Sequence, residues 1–76
     1  MKDTNEIVLV ESVITSEFRG WKGNSIFEFQ NGQIRKQAVY SYCYMYAYRP
    51  NVKVVNRNGR VLMIVSGNEI PVIKIK

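Results

Sequence analysis

The chain has 76 residues, 46% of them hydrophobic and 22% charged, with a formal net charge of +5. That length supports one small domain, near the size where burial only just outweighs chain entropy, so a second core is excluded and the apolar content argues against global disorder. A single cysteine and no histidine exclude an internal disulfide and a Cys/His zinc site, which fits a reducing compartment.

Residues 1–6 read as a polar, acidic tail and residues 7–76 as the folded domain. The apolar run Ile7 to Val10 is four residues long, too short for a signal-peptide core or a membrane span. The expectation is therefore a cytoplasmic protein, bacterial in size and style, with no membrane partner. Residues 1–17 hold Lys2 against Asp3, Glu6, Glu11 and Glu17, a net of −3, whereas residues 18–76 hold ten Lys/Arg against Glu28 and Glu69, a net of +8. A body this basic attracts anions at long range, which favours nucleic acid or an acidic partner; the plainer reading is a solubilising surface.

Ile7 to Arg19 is rich in β-branched residues and predicts a strand, bent near Glu11-Ser12, with Ile14 and Phe18 on one face. Gly20-Trp21-Lys22-Gly23-Asn24 breaks it. Asn31-Gly32 is the strongest short hairpin signal, because a type I′ turn needs positive φ at both central residues. A two-residue loop would set Phe29 opposite Ile34 and Glu28 opposite Arg35. Phe27, Phe29, Ile34, Ala38 and Tyr40 would then share the core face, with Lys36 falling on it and requiring either a bulge or a snorkelling stem.

Tyr40, Tyr42, Tyr44, Tyr46 and Tyr48 follow at alternate positions, separated by Ser41, Cys43, Met45 and Ala47 and closed by Arg49-Pro50. Only a strand has period two, so every phenol falls on one side. Asn58-Gly59 predicts a second hairpin, pairing Asn56 with Val61, Val54 with Met63 and Val52 with Val65. Its reverse face mixes Lys53, Arg57 and Arg60 with Val55, Leu62 and Ile64. Ser66 to Glu69 makes the last turn, and Ile70 to Ile75 a final strand whose Pro71 implies an edge or strand-start position. No interior stretch reads as helical. The fold class is all-β, a five- or six-stranded barrel of the SH3-like or OB-like kind.

Gly20-Trp21-Lys22-Gly23, Ile26-Phe27, Asn31-Gly32-Gln33-Ile34 and the tyrosine run ending in Tyr48-Arg49-Pro50-Asn51-Val52 together resemble a small bacterial domain family of no assigned activity. The likeness covers about residues 14 to 55, and the tyrosines with their Arg-Pro ending are its most specific part. It implies a small all-β domain and carries over no catalytic residue. Lys22 and Asn24 stand where acidic residues are common in that pattern, and Arg35 where an aromatic is common.

Enzyme chemistry is hard to build from these residues. Histidine is absent, Cys43 has no evident base, and no two of the six acids are placed together by the pattern. No catalytic residue, cofactor or metal ligand is expected. Cys43 reads as a small apolar filler on the face opposite the tyrosines. A regular strand from Tyr40 to Tyr48 would span about 27 Å, longer than the roughly 17–20 Å of an ordinary strand. One small core cannot hold the whole row, so part of it must reach the surface or an interface.

Exposed phenols beside cations suit single-stranded nucleic acid, with bases stacking on the rings and Arg/Lys following the phosphates. The candidate contacts are Tyr44, Tyr46, Tyr48, Arg49 and Lys53, with Trp21, Arg19 and Lys22. The same surface would suit a peptide groove or a homodimer seam, and a third reading is a structural accessory with no separable ligand. Trp21, flanked by glycines, is either a mobile binding aromatic or a plug in an open barrel end, the second being favoured. Arg57 and Arg60, opposed beside the Asn58-Gly59 turn, are a like-charge pair that is either solvated or offset by an anion.

Overall fold

A computed structural model describes residues 5–76. Residues 1–4, most of the expected tail, lie outside the described residues. The elements are β1 (Glu6–Val13), β2 (Glu17–Phe18), β3 (Ile26–Glu28), β4 (Ile34–Gln37), β5 (Ala47–Tyr48), β6 (Asn51–Arg57), β7 (Arg60–Val65) and β8 (Asn68–Lys74). Six of them form one antiparallel sheet in the order β1-β6-β7-β8-β4-β3, and β2 pairs with β5 in a separate ribbon. The all-β class is as read from sequence. The large sheet does not close into a continuous barrel: among the described residues its edges meet only at the Ile14–Phe29 bridge, where Thr15 N–H donates to Glu28 C=O (3.2 Å) and Gln30 N–H to Val13 C=O (2.7 Å).

The core lies between the inner face of this sheet and the ribbon. Ile14, Phe18, Trp21, Phe27, Phe29, Val52, Val54, Met63, Val65, Ile70 and Val72 form one buried cluster, with Cys43, Met45 and Ala47 packed against it from the tyrosine segment. The predicted first strand is interrupted. Its irregularity falls between Val8 and Val10 rather than at Glu11-Ser12, and the chain bends at Thr15-Ser16 before β2. Ile14 and Phe18 are nonetheless both buried, as their spacing implied.

The first hairpin is displaced by one residue from the expected register. Ile26 faces Lys36, Phe27 faces Arg35 and Glu28 faces Ile34. The loop has three residues rather than two: Gly32 N–H donates to Phe29 C=O (3.0 Å), Phe29 N–H donates to Gln33 C=O (2.9 Å), and Gly32 alone takes positive φ. This is a type I turn followed by a left-handed glycine. Asn31 Oδ1 stabilises it by accepting from Gln33 N–H (3.0 Å).

Because a one-residue slip moves a strand's side chains to the other face, β4 is inverted relative to expectation. Arg35 and Gln37 point inward and are buried, while Ile34 is half-buried on the outer face and Ala38 and Tyr40 are exposed. The Glu28–Arg35 ion pair does not form. Arg35, 6% exposed, donates from Nη2 to Gln33 Oε1 (3.1 Å) and its Nε has no partner among the described residues. Burial lowers its pKa, though a guanidinium remains charged throughout.

The second hairpin follows its predicted register, with Val54 facing Met63, Asn56 facing Val61 and Asn58-Gly59 at φ 55° and 90°. The last turn is tighter than expected, with Ser66-Gly67 alone at its apex and β8 beginning at Asn68. Pro71 sits inside β8 rather than at its start. Its carbonyl accepts from Ala38 N–H (2.9 Å), so the side lacking an N–H faces the point where β4 leaves the sheet. Proline is tolerated at such a local edge.

On the outer face, Val55 and Leu62 are buried although they belong to no part of the main core. Arg57 on β6 donates to Glu6 Oε1 on β1 (3.0 Å) and, through two nitrogens, to Glu69 on β8 (2.9 Å each). Reaching from β6 to β8 takes the guanidinium across β7, over these apolar side chains. Arg57 is thus neutralised and withdrawn from the anion site envisaged at the Asn58-Gly59 turn. The Arg57 hydrogen bonds hold the Glu69 carboxyl below its ordinary pKa. A depressed folded pKa stabilises above the unfolded value, about 4.3 for glutamate, and that stabilisation is lost as pH falls through the folded value. Acid unfolding of the wild type, followed by circular dichroism below about pH 4.5, is therefore expected to be steeper than that of Glu69→Gln; parallel curves would deny the ion pair a role.

Candidate functional site

All five tyrosines are exposed, from 54% for Tyr46 to 86% for Tyr40. Period two holds along the row, with Ser41, Cys43, Met45 and Ala47 turned toward the protein. Cys43 is the apolar filler its position implied. The expectation that Tyr40 shares the face of Phe27 and Phe29 is corrected. The register slip turns the even-numbered residues of β4 outward, and although the chain leaves the sheet after Gln37 and bends at Val39, the same parity holds in the tyrosines.

Two devices hold this segment. Gln37, buried on the inner face of β4, accepts through Oε1 from Gly23 N–H (2.9 Å) and Ser25 N–H (3.1 Å). Its Nε2 donates to Val39 C=O (3.0 Å) and Ser41 C=O (2.9 Å). One amide thereby joins the Gly23–Ser25 loop to the start of the tyrosine row, with all its hydrogen-bonding capacity used for that purpose.

The second device is the approach of Gly20 to Cys43. Trp21 and Cys43 exchange both backbone hydrogen bonds (2.9 Å each), and Gly20, at φ +86°, lies so close that a Cβ there would stand 1.8 Å from Cys43 O. Between the Phe18–Ala47 and Trp21–Cys43 pairs, two residues of the β2 side face three of the tyrosine side. That bulge bends the row around the core.

The predicted contacts divide into four places. Arg19 lies over the Tyr46 ring, 5.4 Å from its centroid, and its Nη2 is 2.8 Å from Glu17 Oε1. Glu17 in turn faces Tyr48 across the ribbon. The Glu17 hydrogen bond and charge raise the Arg19 pKa. Arg49 is exposed at the end of the row, with φ +49° and its N–H bonded to Ser16 C=O (3.1 Å). The positive φ of Asn58 and Ser66 belongs to hairpin turns, but an arginine before proline has no such preference and is strained there.

Lys53 lies elsewhere, on the outer face of β6 between Glu11 and Ile64. Lys22 is exposed on the loop after Trp21, its N–H bonded to Ser25 Oγ (3.0 Å). Trp21 is 3% exposed and meets Phe18 and Phe27 edge-on, with centroids 6.3 and 6.5 Å apart. It is a plug of the core and has no free face for a ligand.

The structure therefore groups Tyr44, Tyr46 and Tyr48 with Arg19 and Arg49, and separates them from Lys53 and Trp21. Sequence reasoning missed Gln37 and Gly20 as the residues that set the row in place. The signal for Gln37 was the misfit of Lys36 on an apolar face, which a register shift removes.

A scan against protein-family models finds no match, and neither does a search of the curated proteins or of the solved structures. Among the described residues no helix is long and apolar enough to cross a membrane.

Proposed function

We propose that the chain is an incompletely closed barrel of the SH3-like or OB-like kind that acts as a non-enzymatic binding module for single-stranded nucleic acid. The observation that carries this reading is the exposure of five evenly spaced phenols on one side of an extended segment. Bases stack on Tyr44, Tyr46 and Tyr48, each stacked base contributing about 1–3 kcal/mol. Arg49, which makes no ion pair among the described residues, meets the phosphates, and Arg19 lies over one face of Tyr46, leaving the other for a base. The net charge of +5 supplies attraction at a distance. The strain at Arg49 supports a functional reason for arginine at that position, since glycine would adopt its backbone more easily.

The test is an anisotropy titration with labelled oligothymidylate, oligouridylate and a duplex at several salt concentrations, beside light-scattering mass measurement. Single strands are expected to bind more tightly than duplex, with an affinity that falls steeply with salt. Tyr46→Ala with Tyr48→Ala should weaken binding by at least about 1 kcal/mol without unfolding the domain. Arg49→Gly should lower the salt slope by roughly 0.7 while relieving backbone strain, so that loss of fold cannot account for the effect. Salt-insensitive behaviour, or a double variant that merely passes from dimer to monomer, would replace this reading by a protein seam.

A further inference from the structure

The ribbon and the large sheet leave a second feature that the tyrosines do not use. No Cα of β2 lies within 8 Å of one of β3, yet the Phe18 and Phe27 rings beneath them touch, with centroids 6.0 Å apart. Between the two strands runs an open cleft of about 610 Å³, floored by Ile14, Phe18 and Phe27. Paired strands lie about 4.8 Å apart, so edges more than 8 Å apart are unpaired across this cleft.

The backbone on both sides is unpaired toward this seam. Arg49 N–H bonds to Ser16 C=O, which turns Ser16 and Phe18 toward β5 and Glu17 and Arg19 away from it. On the other side Gln37 N–H bonds to Ser25 C=O (2.9 Å) and Phe29 N–H to Gln33 C=O, which turns Ser25, Phe27 and Phe29 toward β4. Ile26 and Glu28 face the seam. Of their groups only Glu28 C=O is taken, by Thr15 N–H, and that bond closes one end of the cleft. Ile26, 62% exposed, has no structural reason to be apolar where it stands.

We propose that this seam binds an extended segment of a partner polypeptide, added as a strand antiparallel to β3. The occupant has apolar side chains at alternate positions, resting on Phe18 and Phe27. Charge orients it: among the described residues neither Glu28, at the closed end, nor Lys22, at the mouth, makes an ion pair, whereas Arg19 is met by Glu17. A strand antiparallel to β3 therefore enters with a basic residue beside Glu28 and leaves with an acidic one beside Lys22. A second copy of this chain, itself at +5, brings like charge to that mouth. The site takes the main chain of Glu17 and Arg19, whereas the tyrosine row takes the Arg19 side chain over Tyr46.

The probe is a capped seven-residue peptide, lysine first, glutamate last, with alternating valine and threonine between, titrated into the ¹⁵N-labelled chain. The expected result is slowed amide exchange, at least about tenfold, at Glu17, Arg19 and Ile26. Exchanging the terminal lysine and glutamate should weaken binding at least about fivefold, and Lys22→Glu should reverse that preference. Methylating the backbone nitrogens that face the strands should abolish binding, since main-chain hydrogen bonds carry the affinity. No perturbation up to about 1 mM, perturbation confined to residues 40–48, or indifference to backbone methylation would each overturn the proposal. Peptide binding by the Tyr46→Ala, Tyr48→Ala double variant should equal that of the wild type, which separates this site from failure of the nucleic-acid reading.

Discussion

Gly20→Ala is expected to destabilise the domain by about 3 to 4 kcal/mol. A left-handed backbone costs an L-residue about 1–2 kcal/mol, and two lost backbone hydrogen bonds add about 1 kcal/mol each. Both apply here: φ is +86°, and the new Cβ, 1.8 Å from Cys43 O, forces the Trp21–Cys43 bridge open. A domain of this length has only about 4–11 kcal/mol of total stability, and each kcal/mol shifts its melting temperature by about 4–8 °C. Gly59→Ala is the internal control. Its φ is +90° but nothing lies within 4 Å of the added carbon, so it incurs the backbone cost of about 1–2 kcal/mol alone. Urea denaturation of the two variants decides the matter. Equal losses would mean that the ribbon can open at Gly20 freely, and that the row of phenols is not held by this contact.

Gln37→Leu should cost about 2 to 4 kcal/mol, because leucine keeps the volume but leaves four polar groups without their partner. Gly23 N–H is the most buried of these and suffers most, while Val39 and Ser41 carbonyls recover water more easily. Gln37→Glu separates the two halves of the clamp, since a carboxylate still accepts from Gly23 and Ser25 but no longer donates to Val39 and Ser41. The first variant should speed amide exchange at Gly23 and Ser25; the second should leave those amides protected and loosen Tyr40 and Tyr42. Stability within about 0.5 kcal/mol of wild type for Gln37→Leu would show that the network is incidental to the fold.

Both residues illustrate what was legible and what was not. The second hairpin could be read to the residue, because Asn58-Gly59 satisfies a two-residue turn and the alternation of Val52 to Val55 and Val61 to Val65 admits one pairing. The first hairpin carries an equally strong Asn-Gly pair and still adopts another loop. There, the bonds from Gln30 N–H to Val13 C=O and from Thr15 N–H to Glu28 C=O hold the neighbouring strand from outside the hairpin, and no local rule contains them. The slip then determines that Arg35 and Gln37, not Lys36 and Ala38, point inward.

The tyrosine row shows the same division at the candidate site. Sequence alone determined that the phenols share one side and that Cys43, Met45 and Ala47 share the other, since period two is a property of the extended backbone. It also determined the all-β class and the basic body, which follow from β-branched content, turn residues and charge count. Which side faces water was decided by the tertiary structure. The slipped register of β4 turns odd-numbered residues inward, Gln37 holds the start of the row by its bonds to Val39 and Ser41, and Cys43, Met45 and Ala47 pack against the core on that same parity. The fate of the cations was decided there too. Lys53 lies on another face and Arg57 is bound by two carboxylates, because pairing across strands depends on registers that span the whole sheet, and a linear sequence specifies those only through the packing of its core.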